Sequence, residues 1–492
     1  MMRRSPVTSR IPELVVLFAW VCSRVLYYAA GLRFNATPVA KYWQFIDPEL
    51  MRTDLLRSLF YLHMQPPGSN LLIGLVVKFF PHSYPTALQI FYLAQGVTIA
   101  LALLRLMELF RVPPRIAAGL TVLFIVNPGC VLYENFATYE YTVLLLLLCA
   151  AIALFRFCQA PAAGRSLAFF AIVLALVMIR NQFHLIYVCL VAAGLAWMVP
   201  VGRRAVLIGC LPAIALTLAL YAKNWALFGA FTGSTWAGMN SGVTTTYQLT
   251  PEEADRLIQS GVVSPLAKIT PYSELPVYYP YIKMPPKTGI PVLDQEFTST
   301  GHANFNHLAY LQLHSMYLAD STAVIRHYPV AYARSVMIAW FAYFLPASDL
   351  HSFDEDRRKI GAFDRIFSAV LFGKFRQADS RKDLRAIKAS GHSFTLPLYT
   401  GMFLMVMLPI LVLWAAALVL VPRLRKKLPP EQAVTLAFCL FTILFVTAVS
   451  NSLSSFENNR YRFPLDGYYL LILGMLLTRL AAAFRSGGVR AR

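Results

Sequence analysis

Charged residues are scarce in this chain. Asp, Glu, Lys and Arg make up 14% of its 492 residues, and hydrophobic residues make up 58%. Soluble domains average about 25% charged and about 45–50% apolar residues, so this composition excludes an ordinary soluble protein. Apolar runs near the length of about 20 residues that a helix needs to cross a bilayer recur along the sequence. We therefore predict an all-α polytopic membrane protein.

The sequence also lacks the patterns of several other protein classes. It contains no GxxxxGK[ST] sequence and no GxGxxG sequence after a strand, so an ATP-driven pump is unsupported. None of its 7 cysteines forms a CxxC pair, which argues against a disulfide or zinc framework. We find no internal repeat and no low-complexity segment. If the protein is an enzyme acting outside the cytoplasm, its energy must arrive in an activated, membrane-borne substrate.

The net charge of +20 is large, and strongly basic proteins often bind nucleic acid. Most Lys and Arg residues of this chain, however, lie in short loops beside the apolar runs. Membrane proteins set their orientation with loops of this kind. We therefore predict membrane lipid as the environment and no nucleic-acid partner.

The distribution of basic residues predicts the topology. Arg3, Arg4 and Arg10 precede the first apolar run (11–31) and indicate a cytoplasmic N-terminus. This run is long for a signal peptide, which favours a membrane anchor. Alternate later loops are again basic, and the loops between them contain few basic residues. The positive-inside rule therefore places these segments outside: 32–84, 133–138, 180–184 and the chain after 223.

Three regions follow from this topology. Residues 1–223 form an N-terminal transmembrane core, whose first outer loop is 32–84. Residues 224–395 are the one large polar region and predict an extracytoplasmic domain. Residues 396–492 form C-terminal transmembrane helices and a basic cytoplasmic tail. Within the polar region, the apolar stretch 329–346 predicts an interfacial or re-entrant helix, with a membrane span as the alternative.

Four carboxylates in or beside the predicted outer segments are candidate site residues, because ionisable residues at a membrane boundary are costly unless they have a use. Asp47, in WQFIDPEL, is a candidate general base; the alternative is a helix N-cap, which Asp-Pro-Glu favours. Asp54 is a second carboxylate of the same loop; the alternative is an exposed helix residue. Glu134 and Glu140 flank the mouth of a predicted span. Because an apolar run follows it, Glu140 needs a partner, which is an arginine, an amide or a metal.

Basic and amide side chains lie in the same outer segments. His63 and Gln65 precede a double proline, which ends one helix and starts the next. Arg180 and His184 flank a tight turn and suit a phosphate, because arginine presents a fork of donors to oxyanions. The alternative is that Arg180 lies at a helix end and extends its charged group to the membrane–water interface.

The segment FENNRYRFP (456–464) groups Glu457, Arg460 and Arg462. Arginines on the outer face run against the positive-inside trend, so an anionic ligand is one explanation for them. The alternative is an internal ion pair between Glu457 and Arg460, which are three residues apart on one helical turn.

These motifs, in this order, resemble the GT-C superfamily of membrane glycosyltransferases. The likeness is to the family 39 type, relatives of the protein O-mannosyltransferases and of the lipid A aminoarabinose transferase. That family has a catalytic Asp in the first outer loop and then a Pro-Pro motif, as in Asp47 and QPPG (65–68) here. An acidic residue before a long apolar span corresponds to Glu140. An Arg-Tyr pair followed by proline corresponds to ENNRYRFP (457–464).

The resemblance covers residues 11–223 and, by motif, residues 432–483; it does not extend in detail to 224–395. The chain departs from the family at two places. The family's Asp-Glu pair is here separated as Asp-Pro-Glu (47–49), which leaves the second carboxylate or metal role unassigned. Glu140 also stands where Asp is usual and reaches further by one methylene.

The resemblance implies a GT-C fold with about ten to twelve transmembrane helices. It also implies an inverting glycosyltransferase that uses a polyprenyl-phosphate sugar, with Asp47 as general base. The charge of the leaving phosphate would be met by Arg180, His184, Arg460 or Arg462. We expect the remaining substrate-binding residues to be Asp54, His63, Gln65, Glu134, Glu140 and Glu457.

No cofactor is expected to be obligatory, although the sequence leaves room for a divalent metal. The acceptor is a glycan, a lipid or a protein, and neither it nor the sugar can be read from the sequence. We expect a bacterial inner membrane protein whose site faces the periplasm or exterior. The competing hypothesis is a transporter or flippase of a lipid-linked anionic substrate, although transporters tend to have internal repeats.

Overall fold

The structure, a computed structural model, describes residues 10–372 and 402–490. Within those ranges the chain folds into α-helices and short 3-10 turns, and its only bridges of β type are two isolated ones. The predicted all-α class is therefore confirmed for the described residues.

The described chain up to residue 228 forms twelve helices. Proline stands at the first position of several of them, where its missing N–H would have no intrahelical partner anyway. The helices are α1 (Ile11–Ala29), α2 (Thr37–Lys41), α3 (Pro48–Thr53), α4 (Leu55–Phe60), α5 (Gly68–Phe79), α6 (Tyr84–Leu109), α7 (Pro114–Ile125), α8 (Pro128–Glu134), α9 (Glu140–Gln159), α10 (Ala163–Ile179), α11 (Leu185–Met198) and α12 (Arg203–Phe228).

The rest of the described chain forms twelve more helices, of which the first seven belong to the predicted polar region. They are α13 (Ala237–Thr244), α14 (Pro251–Gln259), α15 (Pro291–Asp294), α16 (Ala309–His327), α17 (Pro329–Tyr343), α18 (Asp354–Lys359), α19 (Gly361–Phe372), α20 (Met402–Leu420), α21 (Pro422–Arg425), α22 (Pro430–Leu453), α23 (Asn459–Arg462) and α24 (Asp466–Arg490).

Seven helical segments in the described ranges are long and apolar enough to cross a membrane, as in a multi-pass membrane protein. Helices α7 and α8, bent by 61° at their junction, form an eighth if they act as one broken span. Helices α5, α10 and α11 are apolar but shorter. The predicted total of ten to twelve spans, and the predicted sidedness, stay predictions. The seven segments are Ile11–Ala29, Tyr84–Leu109, Glu140–Gln159, Pro200–Phe228, Phe403–Leu420, Pro430–Leu453 and Asn459–Arg485.

Helix α9 lies at the centre of the bundle. It packs against α6, α10 and α22, while α10 packs against α12. Its apolar residues are therefore buried nearly all round, which matches its almost unbroken run of Leu, Ala and Val. The N-terminus of α9 and the C-termini of α10 and α22 meet at one end of the bundle, where the helix α13 covers α22.

A glycine allows α13 to pack closely against α16. A Cβ atom at Gly238 would lie 2.0 Å from the carbonyl oxygen of His314, so no other residue fits without moving the backbone. The Gly238 amide also donates a hydrogen bond of 2.9 Å to Nδ1 of His314. This contact fixes α13, the first helix after α12, across the end of the bundle.

The predicted interfacial stretch 329–346 contains α17, which has 15 residues. That length falls short of the about 20 residues that a span requires. Helix α17 packs against α16 and α22, and its first turns join the outer segment to the bundle. Residues 373–401, which carry the end of the predicted polar region, lie outside the described residues.

An ion pair in the outer segment makes stability depend on pH. Glu253 closes a capping box with Thr250 at the start of α14, and Arg334 donates to it at 2.8 Å from α17. Partial burial by itself raises the pKa of Glu253, but hydrogen bonds from Arg334, Tyr328 and Thr250 outweigh it and lower that pKa to about 2. A depressed carboxylate pKa stabilises the fold above the unfolded-state pKa, and this contribution is lost as the pH falls through the folded-state value.

We therefore expect Glu253→Gln to lower the melting temperature of the purified protein at pH 6 and to have little effect near pH 2. The pKa difference corresponds to about 3 kcal/mol at most. Glu355→Gln is the matched control, because the Glu355 side chain is 80% exposed. If the melting temperatures of Glu253→Gln and wild type differ by the same amount at pH 6 and at pH 2, the lowered pKa of Glu253 is contradicted.

Candidate functional site

A cavity of about 360 Å³ lies where α9, α10 and α22 end. This volume falls in the range of about 300–1,000 Å³ that small-molecule sites occupy. The cavity combines aromatic rings from the outer segments with charged and amide side chains from helix ends. Its charged and amide residues are Gln44, Gln65, Arg180, Asn181, Asn240, Glu457 and Arg460.

Arg180 lies at the C-terminal end of α10 and is only 2% exposed. Its Nη1 atom donates to Oε1 of Glu140 at 3.3 Å, so the partner predicted for Glu140 is an arginine. The guanidinium also lies over the rings of Tyr139, at 5.0 Å, and Tyr461, at 4.6 Å. The Nη2 atom of Arg180 and the Oε2 atom of Glu140 have no hydrogen-bond partner among the described residues.

Arg460 lines the same cavity from α23. Its Nη1 atom is 3.4 Å from Oε2 of Glu457, so the internal ion pair that the sequence offered as an alternative does form. Its guanidinium lies 5.1 Å from the ring of Tyr461, which also contacts Arg180. The Nε atom of Arg460 is buried and has no partner in the described part of the chain. Within the described residues, two arginines beside one ring thus each keep a buried donor without a partner, and arginine donors suit an oxyanion.

Backbone strain is concentrated at this cavity. The described residues include three non-glycine residues with positive φ, and two of them, Tyr272 (66°) and Phe456 (76°), line the cavity. A bulky side chain in the left-handed region costs on the order of 1–3 kcal/mol and is retained only where packing imposes it. Tyr272 is held by a hydrogen bond of 2.6 Å from its hydroxyl to Oδ1 of Asn240.

A second, mostly apolar pocket of about 270 Å³ adjoins the cavity. We call it the side pocket. Val177, Leu220 and Val449 give it an apolar lining, and His184 contributes its ring. The side pocket and the cavity share Asn181, Asn240, Leu453, Ser454 and Tyr461. An amphiphile could therefore place a polar head in the cavity and an apolar chain in the side pocket.

Asp47 is 5% exposed and forms the N-cap of α3. Its Oδ1 atom accepts from the amide of Glu49 at 2.9 Å, so the alternative role that the sequence offered is present. Ser299, an exposed residue of the outer segment, donates its amide to Oδ2 at 2.7 Å and its hydroxyl to Oδ1. Asp47 does not itself line the cavity, although its neighbours Trp43 and Gln44 do. Its role as a base therefore stays a prediction.

Gln65, Arg180, Glu457 and Arg460 are the predicted site residues that line the cavity. Glu140 pairs with Arg180, and His184 lines the side pocket.

Besides Asp47, four predicted site residues line neither the cavity nor the side pocket. Asp54 lies between α3 and α4 and is partly exposed. Glu134 accepts from Arg24 at 2.6 Å and from Tyr141 at 2.7 Å. Arg462, 1% exposed, donates to the backbone carbonyls that end α17 and to the carboxylate that starts α24.

His63, the fourth of these residues, is fully buried beside the outer segment. Its Nδ1 atom is 2.8 Å from Oγ1 of Thr235, and its Nε2 atom is 2.9 Å from the carbonyl oxygen of Asn306. Burial lowers the pKa of His63 to about 3, so the ring is neutral at ordinary pH. A neutral imidazole with both nitrogens bonded holds the outer segment to the first loop.

Sequence reasoning missed the aromatic residues of the cavity and the partner of Glu134. Arg24 can be recognised in the sequence, because an arginine inside the first apolar run requires a partner. Trp43, Trp236 and Tyr272 gave none, since they come together only through contacts between distant segments.

The described residues contain no group of three or more His, Cys, Asp or Glu side chains placed to hold a metal ion. The divalent metal for which the sequence leaves room therefore stays a prediction.

Comparisons with protein-family models, with curated proteins and with solved structures find no match to this chain. The resemblance to GT-C glycosyltransferases therefore rests on the residues and motifs of the sequence.

Proposed function

We propose that the protein is a membrane glycosyltransferase that transfers a sugar from a polyprenyl phosphate to an acceptor hydroxyl. The observation that carries the proposal is the pair Arg180 and Arg460. Both line the cavity that adjoins the apolar side pocket, and each keeps a buried donor without a partner among the described residues. A lipid phosphate has the chemistry that matches these two features, because its head needs charged donors and its chain needs an apolar surface.

The charge balance of the site supports a leaving phosphate. Arg180 pairs with Glu140 and Arg460 pairs with Glu457, so the site is neutral before a ligand enters. Negative charge that develops on the phosphate as the bond to the sugar breaks would be met by the two unused donors. Preorganised donors of this kind in a dry site can supply several kcal/mol of transition-state stabilisation.

The proposed reaction is a single displacement. The acceptor oxygen bonds to the anomeric carbon as the bond from that carbon to the phosphate oxygen breaks, which inverts the anomeric centre. The acceptor proton passes to a carboxylate, for which Asp47 is the proposed base. Ser299 already places a hydroxyl on the Asp47 carboxylate. Because Ser299 is exposed, an acceptor hydroxyl can displace the Ser299 hydroxyl and take its place beside the Asp47 carboxylate.

One observation favours a second function, transport of a lipid-linked anion. Helices α7 and α8 are bent by 61° at their junction, and transporters often have broken helices. The bend lies beside Asn127, whose side chain accepts from the Gly129 amide at 2.8 Å and caps α8. This cap explains the bend locally, so we place the transferase first.

Two measurements test the proposal and separate it from transport. We expect host cells that lack the protein to accumulate one lipid-linked sugar and to lose one sugar residue from an envelope glycan, both by mass spectrometry. We also expect purified protein to convert that lipid-linked sugar into free polyprenyl phosphate when membrane acceptor is added. Movement of the intact lipid across proteoliposomes without cleavage would favour transport and contradict the transferase.

A further inference from the structure

The cavity has an aromatic side that the phosphate chemistry does not use. Trp43 and Tyr272 stack with ring centroids 5.1 Å apart and planes at 20°. Trp236 meets Tyr272 edge-on at 5.3 Å, and Phe305 packs behind Trp43 at 5.3 Å. We call the cavity-lining residues Trp43, Trp236 and Tyr272 the aromatic wall.

The aromatic wall has features that hydrophobic packing alone does not account for. Trp43 stacks on Tyr272 and packs against Phe305, yet it is 48% exposed. Trp236 is 7% exposed, and its indole N–H has no hydrogen-bond partner among the described residues. A buried indole N–H normally finds an acceptor, so this donor points to a ligand with hydroxyl oxygens.

The amide residues of the cavity complete an amphipathic surface. Gln65, 4% exposed, and Asn240 line the same cavity and carry both donors and acceptors. One face of a pyranose ring presents C–H bonds with partial positive charge, which suit the negative face of an aromatic ring. Its hydroxyl groups require donors and acceptors around the edge, and three cavity-lining residues carry such groups: Gln65, Asn240 and, with its unpartnered N–H, Trp236.

We propose that the aromatic wall binds the pyranose ring of the donor, next to the phosphate at Arg180 and Arg460. This inference rests on the proposed function, and it assigns the sugar to one part of the cavity. The stacked face is common to many pyranoses, so the wall contributes affinity for a sugar ring. Selection among sugars falls to the hydrogen bonds of Trp236, Gln65 and Asn240.

The test uses purified full-length protein in nanodiscs and three probes: farnesyl phosphate, farnesyl phosphoryl mannose and farnesyl phosphoryl glucose. We expect wild-type protein to bind both sugar-bearing probes about three- to tenfold more tightly than farnesyl phosphate. Trp43→Ala and Trp236→Phe should lose most of that increment while binding farnesyl phosphate as wild type does. Trp236→Phe removes the indole N–H and part of the ring area but keeps an aromatic ring in place, so the wall is thinned and not collapsed.

Trp197→Ala is the matched control, because Trp197 is 72% exposed and does not line the cavity. Melting temperatures show whether each variant folds. Binding of farnesyl phosphate without a sugar increment, or an increment that Trp43→Ala and Trp236→Phe both retain, overturns the sugar subsite and leaves the donor phosphate site standing. If no probe binds wild-type protein, the proposed function fails, and the sugar subsite fails with it.

Discussion

Protein in which methionine replaces Arg180 is expected to bind farnesyl phosphate about 10- to 100-fold more weakly than wild type. Arg180 is buried and lines the cavity, and its Nη2 atom has no partner among the described residues, so we propose it as a donor to the phosphate. A hydrogen bond to a charged group contributes about 1.5–3 kcal/mol, which corresponds to this range of affinities. Arg180→Lys should lose less, because it keeps the charge and loses the fork of donors. Titration of purified protein with farnesyl phosphate measures each loss.

The substitution also leaves Glu140 without its partner, and a lone buried charge destabilises a fold by about 3–5 kcal/mol. The double variant Arg180→Met with Glu140→Gln removes both charges and should recover the melting temperature without recovering binding. Arg256→Met is the control for a lost exposed arginine. If the double variant binds as wild type does, Arg180 acts on the fold alone and the phosphate site is wrong.

The composition and the apolar runs were enough to predict an all-α chain with long apolar helices. In a chain this hydrophobic, helices are the main way to hydrogen-bond the backbone groups that lie away from water. Each membrane span can be predicted locally, because it depends on a run of about 20 residues. The shorter helices were harder to classify. Helices α10 and α11, with 17 and 14 residues, are apolar enough for a span but short for one.

The candidate site was predictable where a charge conflicts with its apolar surroundings. Arg180, Glu457 and Arg460 are charges of this kind, and all three line one cavity. The same reasoning also selected Glu134 and Arg462, which are paired within the bundle, because a buried charge needs a partner whether or not it binds a ligand.

The aromatic wall was not predictable in the same way. Trp43 and Tyr272 are 229 positions apart in the sequence and meet only in the folded chain. Aromatic residues are common throughout a chain in which they make up 13% of the residues, so composition does not single these out. A contact between distant segments has no local pattern that a single sequence reveals.

Replacing Asp47 by asparagine is expected to reduce sugar transfer by a factor of about 10² to 10⁴, the usual contribution of a general base. Asparagine caps a helix about as well as aspartate, so α3 should be retained. The Ser299 amide, which donates to Oδ2 of Asp47, loses its acceptor to the NH2 group of asparagine, so a modest fall in melting temperature is expected. Farnesyl phosphate binding should be unchanged, because Asp47 does not line the cavity that holds the arginines. The measurements are the rate of transfer, the melting temperature and the binding constant of the same preparation.

Glu457→Gln is the decisive comparison, since Glu457 is a carboxylate that does line the cavity. Glu457 shares its charge with Arg460, whereas the three groups that donate to Asp47 are neutral. Because Asp47 is the proposed base, Glu457→Gln removes the charge partner of Arg460 and no proton acceptor, so it should lower transfer far less than Asp47→Asn. The reverse order, with transfer retained by Asp47→Asn and abolished by Glu457→Gln, would make Asp47 a structural cap and move the base into the cavity.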